Sequence, residues 1–199
     1  MVGLMLTGGC SINPMAKRAV KSTTNMRDEL RKASGEVESM VADTEEIASP
    51  NADLKASYKK LEQNIKKAEA AGESAQARAE DMREHAADYI KSWQEENEKL
   101  RDPNLKAAAD ERNAKIADHY NDYALLAGEA RKAYWPFLQD LKDLKNYLQN
   151  DLTAGGVDKA KPTIKKAVED GNTLNQRIAA LANQLDQLTA ELSPAPAGK

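Results

Sequence analysis

The sequence predicts an all-α protein: an elongated antiparallel helical bundle or coiled coil of four helices with a long central hairpin. Three observations predict it. Its 199 residues hold 33 Ala and 19 Leu against 13 Val plus Ile, one Phe and two Trp, a composition that favours helix over sheet. Apolar and small residues recur at alternating spacings of three and four over long stretches, the seam of a coiled coil or bundle. A capping residue followed by Pro stands at three expected helix starts, Asn13-Pro14, Ser49-Pro50 and Asp102-Pro103. Such pairs start helices, because the side chain caps orphan N–H groups and Pro needs no N–H at the first helical position.

The first helix is expected over 14–48, with Met26, Leu30, Ala33, Val37, Met40, Thr44 and Ile47 as its seam. The second is expected over 50–101, from Leu54, Tyr58, Leu61 and Ile65 through Ala68, Gly72, Ala75 and Ala79 to Met82, Ala86, Tyr89 and Trp93. The small residues at its middle would let backbones approach closely. The third, 103–153, carries Leu105, Ile116, Tyr123, Leu126, Phe137, Leu141, Leu144 and Leu148, and Pro136 should kink or break it after Trp135. Gly155-Gly156 is expected to end it and Asp158 to cap a fourth helix over 158–192, with Ile164, Leu174, Ile178, Leu181, Leu185, Leu188 and Leu192 on the seam. Residues 14–192 thus form one bundle, and 193–199, rich in Pro and Ala, form a disordered tail. At 1.5 Å per residue the central helices span roughly 75 Å and the outer two roughly 50 Å. Short connections make neighbours antiparallel, so a two-helix tip, about 84–120, should project.

Residues 1–13 read as a signal remnant and lipid-anchor segment. Met-Val-Gly-Leu-Met-Leu-Thr-Gly-Gly runs straight into Cys10, the one cysteine of the chain. Small residues before a cysteine resemble the end of a bacterial lipoprotein signal, with Cys10 the acylated residue. The apolar run is shorter than the ~7–15 residues of a secretory core and lacks a preceding Lys or Arg, which suggests an initiation site further upstream. Ser11 in place of Asp implies sorting to the periplasmic face of the outer membrane, with a soluble periplasmic protein as the fallback.

Composition excludes several chemistries. One cysteine supports neither a disulfide framework nor a Cys-rich zinc site. His85 and His119 lack the Glu three residues earlier that a di-iron bundle needs, since Met82 and Ile116 stand there. His119 is expected at the core edge and His85 in solvent. Gly155-Gly156 lacks the Lys-Ser/Thr and preceding strand of a phosphate loop. No catalytic residue, metal or cofactor is expected.

Candidate contact residues are therefore sought on surfaces. Tyr134-Trp135-Pro136-Phe137 is the densest apolar group; its rings should fill the wider part of the core, or else Trp135 and Phe137 form a docking surface. Tyr89 and Trp93 lie toward the tip, where a protein partner or second copy could cover them. Residues 1–32 carry Lys17, Arg18, Lys21, Arg27, Arg31 and Lys32 against Asp28 and Glu29. Of these, Lys17, Arg18 and Lys21 are candidates for contact with anionic headgroups beside the anchor. Residues 73–120 carry eight basic and twelve acidic side chains. With a net charge of −3 and no basic stripe interleaved with aromatics, nucleic acid is not an expected partner.

Leu54-x-x-x-Tyr58-x-x-Leu61, Tyr89-x-x-x-Trp93, Asn104-Leu105, Arg112, Trp135-Pro136-Phe137-Leu138-x-x-Leu141 and Tyr147-Leu148-x-x-x-Leu152 with Ala154 together resemble an uncharacterised family of helical bacterial envelope proteins. The resemblance runs from about Arg27 to Leu192. It implies an envelope location and carries over no site residue. The expected function is a non-enzymatic envelope lipoprotein acting as a helical scaffold, spacer or adaptor for protein partners. The alternatives are a membrane-binding, curvature-shaping coiled-coil dimer and a carrier of an apolar ligand.

Overall fold

A computed structural model describes residues 13–193 and shows four helices: α1 Pro14–Glu46, α2 Leu54–Asn97, α3 Pro103–Asn150 and α4 Ala154–Leu192. Among the described residues there is no strand. Each helix packs against its two neighbours in the order α1, α2, α3, α4, and α4 closes the ring onto α1. Ion pairs fix the antiparallel register: Lys60 with Asp43 and Glu46 across α1–α2, Lys142 with Glu69 across α2–α3, Lys166 with Asp140 across α3–α4, and Asp186 with Arg27 and Arg31 across α4–α1.

The seams form the core. Met26, Leu30, Val37 and Met40 of α1, Leu61, Ile65 and Met82 of α2, Ile116, Phe137, Leu141 and Leu148 of α3, and Leu174, Leu181, Leu185 and Leu188 of α4 are all buried. Burial is uneven. Helix α4 holds thirteen buried residues against nine on each other helix, and α2 has none between Ala68 and Met82. There Gly72 makes room for Tyr134, whose hydroxyl donates to the Ala68 carbonyl at 3.2 Å. Deeper in the bundle, a Cβ at Gly171 would meet Phe137 Cε2 at 2.8 Å and run into Val41 Cγ2, so α4 crosses its neighbours at contact distance there.

Helix starts depart from expectation in two places. Asn13 caps α1 and Asp102 caps α3 as their Pro neighbours imply. Ser49-Pro50 instead lies in the turn, and α2 starts at Leu54 because the Asp53 carboxylate accepts from the N–H groups of Lys55 and Ala56, both at 3.1 Å. Gly155 and Gly156 do not end a helix but open one: α3 stops at Asn150, the Thr153 hydroxyl accepts from Gly156 N–H at 3.0 Å, and α4 runs on through both glycines. Gly156 is required there by space, since a Cβ would strike the Asp151 carbonyl.

Pro136 does not break α3, which is continuous across it. The ring sits on the solvent side of the helix, where the carbonyl of Lys132, left without its helical donor, faces water. Pro162 inside α4 is exposed in the same way. Ser193, expected in the tail, ends α4 by donating its N–H and hydroxyl to the Thr189 carbonyl.

Candidate functional site

The tip where α2 turns into α3 is shorter than the lengths suggested. Arg112 donates to the Glu191 carbonyl at 3.0 Å, and Lys115 pairs with the Glu191 carboxylate at 2.6 Å, so the end of α4 reaches the level of residue 112. Only about 93–111 projects, not 84–120. Two shifts account for it: α2 ends at Asn97 instead of 101, and α4 starts a turn earlier than 158.

The tip is tied by polar contacts in place of a wide core. The Trp93 indole donates to the Ala109 carbonyl at 3.1 Å, and its ring carries the Arg112 guanidinium 5.4 Å from the centroid, a cation–π contact. Asn97, buried, donates to the Asp110 carboxylate at 3.0 Å. Asp102 accepts from the N–H groups of Asn104 and Leu105. Lys115 holds the Glu191 carboxyl below the usual range through its hydrogen bond. This network leaves Leu100 and Leu105 outward, 38% and 60% exposed.

The four aromatic candidates separate. Tyr89 is 1% exposed and Phe137 fully buried; the chain's own helices cover both, so neither is free to meet a partner. Phe137 fills the core, as the reading of that group as core rings expects. Trp93 is half-buried and its N–H is already bonded. Trp135 alone is open, 54% exposed, its ring edge-on to Tyr134 with centroids 5.1 Å apart. Leu125, on the same helix, is 73% exposed. In the sequence Leu105 stood out only as a member of a periodic run, and Leu125, next to the seam residue Leu126, did not stand out.

The histidines sit apart. His119 Nδ1 lies 3.1 Å from the Gln184 side-chain nitrogen, which ties α3 to α4. His85 is half-buried between α1 and α2, not in solvent, with Nε2 3.5 Å from Asp81. Among the described residues no group of three or more His, Cys, Asp or Glu is placed to hold a metal ion, and no helix is long and apolar enough to cross a membrane. Lys17, Arg18 and Lys21 are exposed on the first turns of α1. Cys10, the candidate lipidation residue, lies outside the described residues.

No curated protein and no solved structure matches the chain. A family model described as a protein of unknown function, DUF2959, matches residues 14–192, from the first turn of α1 to the last residue of α4. The chain belongs to the DUF2959 family.

Proposed function

We propose that this protein is a non-enzymatic lipoprotein of the bacterial cell envelope, acylated at Cys10 at the periplasmic face of the outer membrane, whose bundle acts as a scaffold, spacer or adaptor for protein partners. The observation that carries the adaptor role is that three large apolar side chains are left open at separate points of α3: Leu105, Leu125 and Trp135, each more than half exposed in a chain with a filled core. Exposed large side chains on a rigid helix are the usual anchors of helix-face recognition. The apolar run before Cys10 supports the anchor, and the basic residues of early α1 support a position close to a lipid surface. Helices of 44 and 48 residues give the bundle a reach of roughly 70 Å, which suits a spacer.

Two experiments test it. Radiolabelled palmitate supplied to cells should label the full-length protein and not its Cys10→Ser variant, and the variant should leave the outer-membrane fraction. A photo-crosslinking residue at position 105 or 135 should trap one discrete protein species, while the same residue at exposed Gln149 should not. Identical crosslinking at all three positions refutes the adaptor role.

A further inference from the structure

The groove between α1 and α2, near the start of α1, brings together side chains about sixty residues apart in sequence. Arg18, Lys21 and Asn25 line it from α1, and Arg78, Asp81 and His85 from α2, around a space of about 310 Å³. The antiparallel register that sets Asp43 beside Lys60 and Asn64 at the turn carries these residues opposite each other further along.

Three features of the groove bear on what it can hold. Its cations are uncommitted: none of Arg18, Lys21 and Arg78 has a carboxylate within ion-pair distance among the described residues, although Arg27, Arg31 and Lys60 each have one or more. Its one carboxylate, Asp81, faces His85, which leaves an excess of two positive charges with the imidazole neutral. The remaining imidazole nitrogen, His85 Nδ1, is buried without a hydrogen-bond partner, a state that costs free energy and that a turn of the ring toward a ligand in the groove would relieve.

We propose that this groove binds a phosphate-bearing anion, with Arg18, Lys21 and Arg78 as charge partners and His85 as the hydrogen-bonding group. Two guanidinium groups and one ammonium offer many donors to a tetrahedral anion with several acceptor oxygens; a planar carboxylate would use fewer of them. Cations drawn from two helices also form a site of defined shape, unlike a basic stripe along one helix face. Two sources carry that chemistry, the headgroup of an anionic phospholipid and a soluble phosphate ester. The proposal rests on the bundle alone, so its failure leaves the anchor and the adaptor role untouched.

The test uses the full chain with Cys10→Ser, at fixed pH, titrated with glycerol 3-phosphate and separately with vesicles of phosphatidylglycerol or of phosphatidylcholine. The NMR ring signals of the two histidines give the readout, and His119 is the internal control. His85 signals should move and saturate with glycerol 3-phosphate while those of His119 stay. Arg78→Gln and Lys21→Gln should each weaken binding at least about tenfold, a charged hydrogen bond's contribution. Arg131→Gln with Lys132→Gln, two exposed cations of α3, should leave it unchanged, and circular dichroism should show every variant equally helical. Saturable binding of glycerol 3-phosphate without sedimentation on phosphatidylglycerol identifies a soluble ester; sedimentation on phosphatidylglycerol but not phosphatidylcholine, lost in Arg78→Gln, identifies the lipid. The proposal is overturned if both histidines respond alike, if sodium chloride at equal ionic strength reproduces the shift, or if Arg78→Gln binds as tightly as the parent.

Discussion

Two substitutions of the same kind, Gly35→Ala and Gly171→Ala, should have opposite signs. Both glycines lie inside helices, where Ala is favoured over Gly by about 1 kcal/mol. At Gly35, on the exposed side of α1, a Cβ meets nothing within 4 Å, so Gly35→Ala should stabilise by about 0.5–1 kcal/mol. At Gly171 the same methyl group lands 2.8 Å from Phe137 Cε2, 3.2 Å from its Cδ2, and closer still to Val41 Cγ2. Carbon atoms are content at about 3.5–4.0 Å, and Phe137 has no exposed surface toward which to retreat. Overpacking of this sort costs about 1–3 kcal/mol, which exceeds the propensity gain. With two side chains struck at once the cost lies in the upper part of that range, about 2–3 kcal/mol, so Gly171→Ala should be net destabilising by about 1–2 kcal/mol, leaving a gap of about 2–3 kcal/mol between the two variants. Urea unfolding of the full chain with Cys10→Ser measures it as opposite shifts in midpoint at constant slope. Adding Val41→Ala should recover part of the loss at Gly171 and do nothing for Gly35→Ala, because only the first pair touches. If Gly171→Ala raises the midpoint as much as Gly35→Ala does, α4 does not cross α1 and α3 this closely.

Three further outcomes follow from the same contacts. Asp53→Ala should lower stability by about 1 kcal/mol through loss of the α2 cap, while Ser49→Ala should change the urea midpoint little; the reverse result would restore Ser49-Pro50 as the helix start. Burial pushes the Tyr123 phenol up from 10 to about 12, so the folded state favours the neutral form, and its contribution is fully present below pH 10 and lost as pH rises toward 12. Stability should fall by an order of 2 kcal/mol across that window, and Tyr123→Phe should remove this part of the decline; an unchanged alkaline limb would count against burial as the cause. Phe137→Ala should cost about 3–5 kcal/mol and Trp135→Ala under about 0.5 kcal/mol, read as a large and a negligible change in thermal midpoint, with equal losses contradicting their assignment to core and surface.

Periodicity made the core legible where four helices run side by side, because burial there follows angular position, and every seam residue from Met26 to Ile47 is buried; Leu105, on the seam but beyond the end of α4, is 60% exposed. Helix starts were legible only where the capping residue and Pro stood at the true start. Ser49 lost to Asp53, which accepts two N–H groups, and Pro50 serves a turn equally well. Gly155-Gly156 signalled a stop because glycine commonly ends helices, yet no residue in the described chain has positive φ; the pressure at Gly156 is steric, from the returning backbone at Asp151, and distance of that kind leaves no local pattern. The tip was overestimated because each misplaced end adds to the apparent overhang. The basic groove was half legible: Arg18 and Lys21 stood out as an N-terminal charge excess, but Arg78 and His85 join them only through the α1–α2 register, which no local pattern fixes.

The richly buried α4 sets the order in which this protein becomes itself during synthesis. It is the last of the four helices to leave the ribosome, yet it supplies the missing wall for both α1 and α3. Until it emerges, Leu30 and Phe137 lack the neighbours that hide them in the finished bundle, so the growing chain carries two uncovered apolar stripes up to that point. A premature stop in α4 would expose surface on helices it does not encode, and would be more damaging than the length removed suggests.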